Sequence, residues 1–146
     1  MSDTALPARL AEIRDDFLEL EEPDRLELLL EFSHELPEVP AEYADHPEMR
    51  ERVVECQSPV YIIVTVDGDE RVAMHATAPA EAPTTRGFAS ILSQGLTGLS
   101  ADEVLAVPDD FPQSIGLTRA VSPLRIAGMT GMLMRVKRQV RAKREA

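Results

Sequence analysis

The centre of the chain reads Val-Tyr-Ile-Ile-Val-Thr-Val at residues 60–66, and Asp67-Gly68 follows directly. All seven residues of the run are β-branched or aromatic, and the run is too short for a helix, so it predicts a strand. An Asp-Gly pair tolerates the positive φ of a tight hairpin turn. After the turn, every second residue is apolar or small: Val72, Met74, Ala76 and Ala78. This alternation predicts a returning strand, and therefore an antiparallel hairpin.

Two amphipathic helices are predicted ahead of the hairpin. The first ends near Glu22, and its apolar residues recur at steps of three and four: Leu6, Leu10, Ile13, Phe17 and Leu20. The second carries Pro23 in its first turn and is ended by Pro37. Its predicted apolar stripe consists of Leu26, Leu29, Leu30 and Leu36. A proline-bearing loop then covers residues 37–50, and Val53-Val54 is expected to form a short third strand.

Three more helices are predicted after the hairpin. The first starts at Pro83, and its apolar face consists of Phe88, Ile91, Leu92, Leu96 and Leu99. Ser100 and Glu103 have the spacing of a capping box for a short helix. After a loop at 108–116, the last helix has Ser122 as its N-cap and runs to about Lys143. These elements predict one α+β domain over residues 1–146, with a small three-stranded antiparallel sheet and helices packed on one side.

Composition limits the class of protein. The chain has 146 residues, of which 44% are apolar and 28% charged, as in a soluble globular protein. Its net charge of −11 argues against nucleic acid as the main partner, because phosphate neutralisation needs a basic surface. The N-terminus lacks a basic leader region and no apolar run approaches the length of a membrane span. We therefore expect a cytoplasmic protein without a membrane partner.

The last twelve residues concentrate positive charge, at Arg135, Lys137, Arg138, Arg141, Lys143 and Arg144. Such a run is most often the solvated end of a helix, where cations also complement the C-terminal dipole, and this is the interpretation that we favour. A grip on an acidic partner or on RNA is the alternative.

Cys56 is the only cysteine. One thiol cannot close an intrachain disulfide, supply a CxxC redox pair or build a zinc site from several cysteines. A lone cysteine is often just a small buried hydrophobe, so the flanking residues must decide between packing and chemistry. If Cys56 has chemistry, it is that of a solitary thiolate, and a single cysteine also suits a reducing compartment.

Three motifs, in the same order along the chain, resemble those of the SufE/CsdE family of sulfur acceptors. They are Cys56-Gln57-Ser58, Thr85-Arg86-Gly87-Phe88 at a helix start, and residues 122–129 at the start of the last helix. The sequence departs from the family at two positions beside the cysteine. Glu55 stands where the family usually has Gly, and Tyr61 stands where it usually has Trp. Glu81 is assigned to the acidic position that precedes the helix-opening glycine in the family.

The resemblance implies a sulfur carrier. Cys56 would accept persulfide sulfur from a SufS-like cysteine desulfurase, stimulate that enzyme, and deliver the sulfur to a SufBCD-like iron–sulfur scaffold complex. The carrier would itself be no enzyme and hold no cofactor, since pyridoxal phosphate belongs to the desulfurase. The family's fold is shared with iron–sulfur scaffold proteins, but those bind metal through several cysteines. Two alternatives are a regulatory adaptor that carries no sulfur and a thiol-dependent peroxidase or hydrolase; the motif lacks the base that the latter needs.

Arg125 is the predicted cation of the site. It falls at about the third residue of the last helix, where the helix dipole disfavours positive charge by about 0.3–1 kcal/mol. A residue that violates a local rule is a good functional suspect, and the resemblance places a family arginine here. We expect Arg125 to stabilise the thiolate of Cys56 or to dock the partner.

Three neighbours of Cys56 are expected to support its loop. The Glu55 carboxylate would disfavour the thiolate if it faced the sulfur. Gln57 and Ser58 would donate hydrogen bonds to the sulfur or close the turn before Pro59, and both roles stay open. Because the apolar run of residues 60–66 follows directly, we expect the sulfur to face the core at rest and to swing out on binding. The three histidines, His34, His46 and His75, are too scattered for a metal site.

Overall fold

The computed structural model describes residues 6–144. Residues 1–5 and 145–146, which the predicted domain includes, lie outside the described part. Its helices are α1 (Ala8–Leu18), α2 (Glu22–His34), α3 (Ala41–Ala44), α4 (Pro83–Leu96), α5 (Ala101–Leu105) and α6 (Pro123–Arg144). Its strands are β1 (Glu51–Arg52), β2 (Tyr61–Val66) and β3 (Val72–Thr77). Short 3₁₀ turns occupy Pro47–Met49 and Phe111–Ile115. No helix of residues 6–144 is long and apolar enough to cross a membrane.

The three strands form one antiparallel sheet in the order β1-β2-β3. Its core face carries Ile62 opposite Ala76 and Val64 opposite Met74, all of them buried. Helix α4 packs against β3 and α6 against β2, and their apolar residues join these side chains in one core. On the other face the His75 ring lies 5.5 Å from that of Tyr43 in α3. The predicted α+β architecture is confirmed.

The hairpin turn is longer than predicted. Val66 pairs with Val72, so the connection spans residues 67–71, and the positive φ of 60° falls on Glu70 rather than on Gly68. The Asp67 carboxylate accepts hydrogen bonds from the backbone N–H groups of Asp69 (2.8 Å) and Arg71 (2.9 Å). Because the Asp67 side chain satisfies two backbone donors within the turn, it stabilises this longer connection.

The third strand lies two residues earlier than predicted. Strand β1 is Glu51–Arg52, whereas Val53 only extends the ladder by one bond, from its N–H to the carbonyl of Val60 (2.9 Å). Val54 is exposed and begins a turn in which the N–H of Cys56 donates to the carbonyl of Val53 (3.1 Å). This turn ends the strand, because the chain must leave the sheet to form the cysteine loop.

Helix α2 buries a different face from the predicted one. Leu26 and Leu30 are 38% and 43% exposed, while Leu29 and Phe32 are buried. The Phe32 ring stacks on that of Phe17 in α1 at 5.9 Å, which fixes the rotation of the helix. The helix ends at His34, so the buried Leu36 follows it, and α1 ends at Leu18 instead of near Glu22.

The other helix signals are confirmed. Helix α4 begins at Pro83, and the capping box of α5 is complete, with Ser100 and Glu103 each accepting a backbone hydrogen bond from the other. At the start of α6 the Ser122 hydroxyl accepts a hydrogen bond from the N–H of Arg125 (3.3 Å). The predicted loop at 108–116 contains a 3₁₀ turn with Phe111 and Ile115 buried in the core.

The basic end of α6 is largely engaged within the fold, so the prediction of a solvated helix end is wrong for most of it. Lys137 is only 3% exposed and donates to Asp109 (2.7 Å) and to the carbonyl of Val107. Lys143 donates to the carbonyl of Val64, which β1 is too short to pair. Arg144 bridges acids of two other segments, Asp102 (2.8 Å) and Glu70 (3.0 Å). Of the six cations, Arg138 and Arg141 are exposed.

Candidate functional site

Cys56 lies in the loop that connects β1 to β2 and rests on α6. The residue is 7% exposed, and its Sγ points at Gly128, where an added Cβ would lie 3.0 Å from the sulfur. The turn from Val53 positions the residue, and the buried Val60 fixes the other end of the loop. The thiol is therefore buried in this state, as the apolar run after it predicts.

A cavity of about 110 Å³ opens beside the sulfur. Its lining includes every residue predicted for the site: Glu55, Cys56, Gln57, Ser58, Glu81 and Arg125. The rest of the lining consists of Ala82, Thr85, Leu124 and Gly128. Since a single water molecule needs only about 10–15 Å³ of such space, the cavity has room for one additional sulfur atom on Cys56.

The surroundings of Cys56 disfavour the thiolate. Burial raises the pKa of the Cys56 thiol, the neighbouring Glu55 carboxylate raises it further, and the Arg135 guanidinium opposes both effects. The net direction is upward, so at neutral pH the thiol holds its proton more firmly than an ordinary cysteine does. In this conformation Cys56 is thus a poor nucleophile.

Arg135 is the cation that the sequence analysis missed at this site. Its Nε donates to Glu55 Oε1 (2.9 Å) and its Nη2 to Glu55 Oε2 (3.2 Å), while Nη1 donates to Glu51 Oε2 (2.6 Å). These hydrogen bonds hold the pKa of Glu55 below its usual value and raise that of Arg135. The sequence feature that could have indicated such a cation is Glu55, because an acid beside a reactive thiol needs a neutralising partner.

Arg125 occupies the third position of α6 and lines the same cavity, but its side chain is exposed. Within residues 6–144 it makes no hydrogen bond or ion pair through its guanidinium, whose charge is therefore available to a ligand or partner. The guanidinium that lowers the thiol pKa is that of Arg135. Thiolate stabilisation and partner docking by Arg125 both stay predictions.

The remaining predicted residues also line the cavity. Glu81 is exposed in the connection between β3 and α4. In the described part of the chain, the side chains of Gln57 and Ser58 form no hydrogen bond, so neither of their two predicted roles is favoured. The histidines are dispersed, and residues 6–144 contain no group of three His, Cys, Asp or Glu side chains placed to hold a metal ion.

The Thr-Arg-Gly-Phe motif builds the wall opposite the cysteine loop. Arg86 donates from Nε to the carbonyl of Ser33 (2.8 Å) and from Nη1 to the carbonyl of Ala78 (2.7 Å). One side chain thereby ties the end of α2 and the exit from β3 to the first turn of α4. Phe88 is fully buried in the core, while Thr85 faces the cavity. The motif sets the position of the segment that carries Glu81 and Thr85.

Fold and site together define a class of protein: an α+β protein that presents one cysteine on the loop entering its sheet, above a small charged cavity. The chain matches the family described as SufE, Fe-S metabolism associated domain, over residues 11–140. It therefore belongs to the SufE family, as its three motifs predict. This membership connects it with sulfur transfer in iron–sulfur metabolism and with a cysteine desulfurase as partner.

Individual relatives agree with this assignment. The chain is 51% identical to a SufE-like protein of Mycobacterium tuberculosis, described as uncharacterised, over 137 residues that make up 94% of each chain. It is 30% identical to a SufE-like protein of Synechocystis, covering 88% of this chain and 77% of the other. The solution structure of a hypothetical protein from Thermus thermophilus is similar with a TM-score of 0.84 at 34% identity, covering 97% and 99% of the two chains.

Proposed function

We propose that Cys56 is a persulfide carrier. Its thiolate attacks the terminal sulfur of a persulfide on the desulfurase cysteine, the sulfur–sulfur bond of the donor breaks, and the donor cysteine leaves as a thiolate. The new sulfur–sulfur bond is on Cys56, and no electrons are gained or lost overall, so the step needs no oxidant or reductant. The observation that carries the proposal is the placement of the single thiol at a cavity with Arg125 and Glu81, in a chain of the SufE family.

The same exchange accounts for stimulation of the desulfurase. Once its cysteine has passed on the sulfur, the enzyme is ready for another turnover, and its pyridoxal phosphate remains its own. A second transfer delivers the sulfur to a SufBCD-like iron–sulfur assembly scaffold. The carrier chemistry uses only the thiol and the charges around it, and therefore needs no cofactor in this chain.

The resting geometry suits an intermediate that must be protected until delivery. Burial and the raised pKa of Cys56 keep the thiol protonated and shielded from oxidants. Transfer therefore requires the loop to move, because the thiol of a residue that is 7% exposed cannot reach a sulfur atom on another protein. After transfer, the cavity beside Gly128 offers space for the added sulfur.

Mass spectrometry of the intact protein tests the proposal. After incubation with an active cysteine desulfurase and cysteine, we expect a gain equal to one sulfur atom, which reductant removes and peptide mapping assigns to Cys56. The desulfurase must be shown to transfer sulfur to another thiol under the same conditions. With such a desulfurase, a wild-type protein that gains no sulfur would refute the carrier function.

Arg125→Ala is expected to slow sulfur acceptance by about tenfold, or about 1.4 kcal/mol of transition-state stabilisation. The fold should be unaffected, because the side chain is exposed and has no partner in residues 6–144. Arg119→Ala, which removes another exposed arginine close to α6, serves as the matched control. The measurement is the initial rate of sulfur gain together with the affinity for the desulfurase.

The pH dependence of Cys56 alkylation separates the two roles of Arg125. An upward shift of the midpoint in the variant would show that the guanidinium stabilises the thiolate. An unchanged midpoint with weaker desulfurase binding would show docking. If sulfur acceptance by Arg125→Ala equals that of the wild type, Arg125 is only a surface residue.

A further inference from the structure

The cysteine loop is attached to α6 through Glu55, which bonds Arg135, whereas Glu51 of β1 has further donors on that helix in Arg138 and Gln139. Arg135 grips both oxygens of Glu55, directly beside Cys56, and also holds Glu51 of β1. We call Arg135, Glu51 and Glu55 the clamp. The Arg135 side chain is 21% exposed and that of Glu51 19%, so solvent screens this pair less than a fully exposed one. Two-point contact with a carboxylate also fixes its orientation.

The surface of α6 under the loop has been left without side chains at two positions. A Cβ at Gly128 would lie 3.0 Å from Cys56 Sγ, and one at Gly131 would lie 2.7 Å from Cδ of Glu55. A glycine inside a helix costs about 0.5–1 kcal/mol of stability relative to alanine. The two glycines that make room for the loop therefore lower the stability of α6. Steps of three and four place Gly128, Gly131 and Arg135 on one helical face. On that face the Cys56 sulfur packs on Gly128, the Glu55 side chain packs on Gly131, and Arg135 binds the Glu55 carboxylate.

We propose that Arg135 is a positioning residue, which through the clamp holds the cysteine loop closed on α6, so that sulfur acceptance requires the clamp to open. The geometry of the clamp is independent of the proposed function, but its consequence for sulfur transfer rests on that function. Opening frees Sγ from Gly128, and it also leaves the Glu55 carboxylate without its cation. The charged groups around the thiol are then Glu55, Glu81 and Arg125.

Accessibility governs the limiting alkylation rate at high pH, which therefore measures opening, whereas the midpoint reports both burial and charge around the thiol. Arg135→Gln should raise the limiting rate, while its midpoint combines the loss of burial, which lowers the thiol pKa, with the unpaired Glu55 anion, which raises it. Glu55→Gln should raise the limiting rate and move the midpoint downward. Gly131→Ala keeps all charges, but its methyl group displaces the Glu55 side chain, so it should raise the limiting rate as well.

The experiment measures alkylation of Cys56 by a bulky iodoacetamide dye against pH, with the full chain and no desulfurase. We expect limiting rates about fivefold above wild type for the three variants, which corresponds to about 1 kcal/mol. Arg144→Gln is the control, because it breaks equally close ion pairs, to Asp102 and Glu70, outside the cysteine loop. It should change neither parameter.

Limiting rates of Arg135→Gln and Gly131→Ala that both equal that of wild type would overturn the inference. Gly131→Ala keeps the test decisive if Arg135→Gln fails to fold, since alanine is the better helix former. Sulfur acceptance is then measured with a desulfurase: Glu55→Gln should gain sulfur faster than wild type, and an equal rate would show that transfer does not require opening. A wild-type protein that accepts no sulfur, with the dye results as expected, would refute the carrier function and leave the clamp established.

Discussion

Cys56→Ser is expected to abolish stimulation of the cysteine desulfurase while leaving its binding intact. A hydroxyl cannot form the sulfur–sulfur bond that relieves the enzyme of its persulfide, so desulfurase turnover should fall to the level of the enzyme alone. Because serine differs from cysteine by a single atom, the replacement removes little docking surface, and we expect the Kd to stay within about threefold. Alanine formation from cysteine measures turnover, and fluorescence anisotropy measures binding.

Val54→Ala is the matched control, because it alters an exposed side chain in the turn before Cys56 and keeps the thiol. It should retain both stimulation and sulfur acceptance. The result also discriminates between the carrier and the adaptor that the sequence leaves as an alternative. If Cys56→Ser stimulates the desulfurase as well as wild type does, the protein acts as an adaptor and the carrier proposal is wrong.

Arg86→Ala is expected to destabilise the fold by roughly 3 kcal/mol, the lower end of what two hydrogen bonds from a charged donor contribute. The variant leaves the carbonyls of Ser33 and Ala78 without the guanidinium that now joins them at 2.8 and 2.7 Å. For a chain of this size the melting temperature should fall by about 10 °C. Thermal and urea unfolding measure the change.

Two further variants define the cause. Arg71→Ala should cost no more than about 0.5 kcal/mol, because Arg71 is exposed and its contacts to Gly98 (3.4 Å) and Glu103 (4.0 Å) are long. Arg86→Lys should recover only part of the loss, since an ammonium cannot present the fork that spans two carbonyls. An Arg86→Ala variant as stable as wild type would contradict this structural role and point to a function for Arg86 in transfer.

The parts of the fold that the sequence predicts correctly are those that local patterns specify. The hairpin strands, the capping box of α5 and the start of α6 each depend on residues a few positions apart. The predicted buried face of α2 is wrong because leucines at four closely spaced positions allow several apolar stripes. The contact between Phe17 of α1 and Phe32 selects one of them. The predicted position of β1 is wrong because a strand of two residues is too short to show an alternating pattern.

For the candidate site too, local sequence patterns predict one part of the geometry and long-range contacts determine the rest. The site's motif residues gather around one cavity, as the resemblance implies, because the cysteine loop and the first turns of α4 and α6 meet there. The link between Arg135 and Glu55 spans 80 positions of sequence, and no local pattern selects Arg135 from a run of six cations. The partners of Lys137 and Lys143 include main-chain carbonyls, whose availability is fixed only when the sheet and helices have packed.

Gly128 and Gly131 make α6 an unfavourable target for redesign aimed at thermal stability. Propensity alone ranks an alanine at either position as a gain of about 0.5–1 kcal/mol, and most stability-guided selections would accept both. Each added methyl group would instead occupy space that Cys56 or Glu55 now fills. A thermostabilised version of this protein should therefore keep both glycines and seek its gains on helix surfaces remote from the cysteine loop.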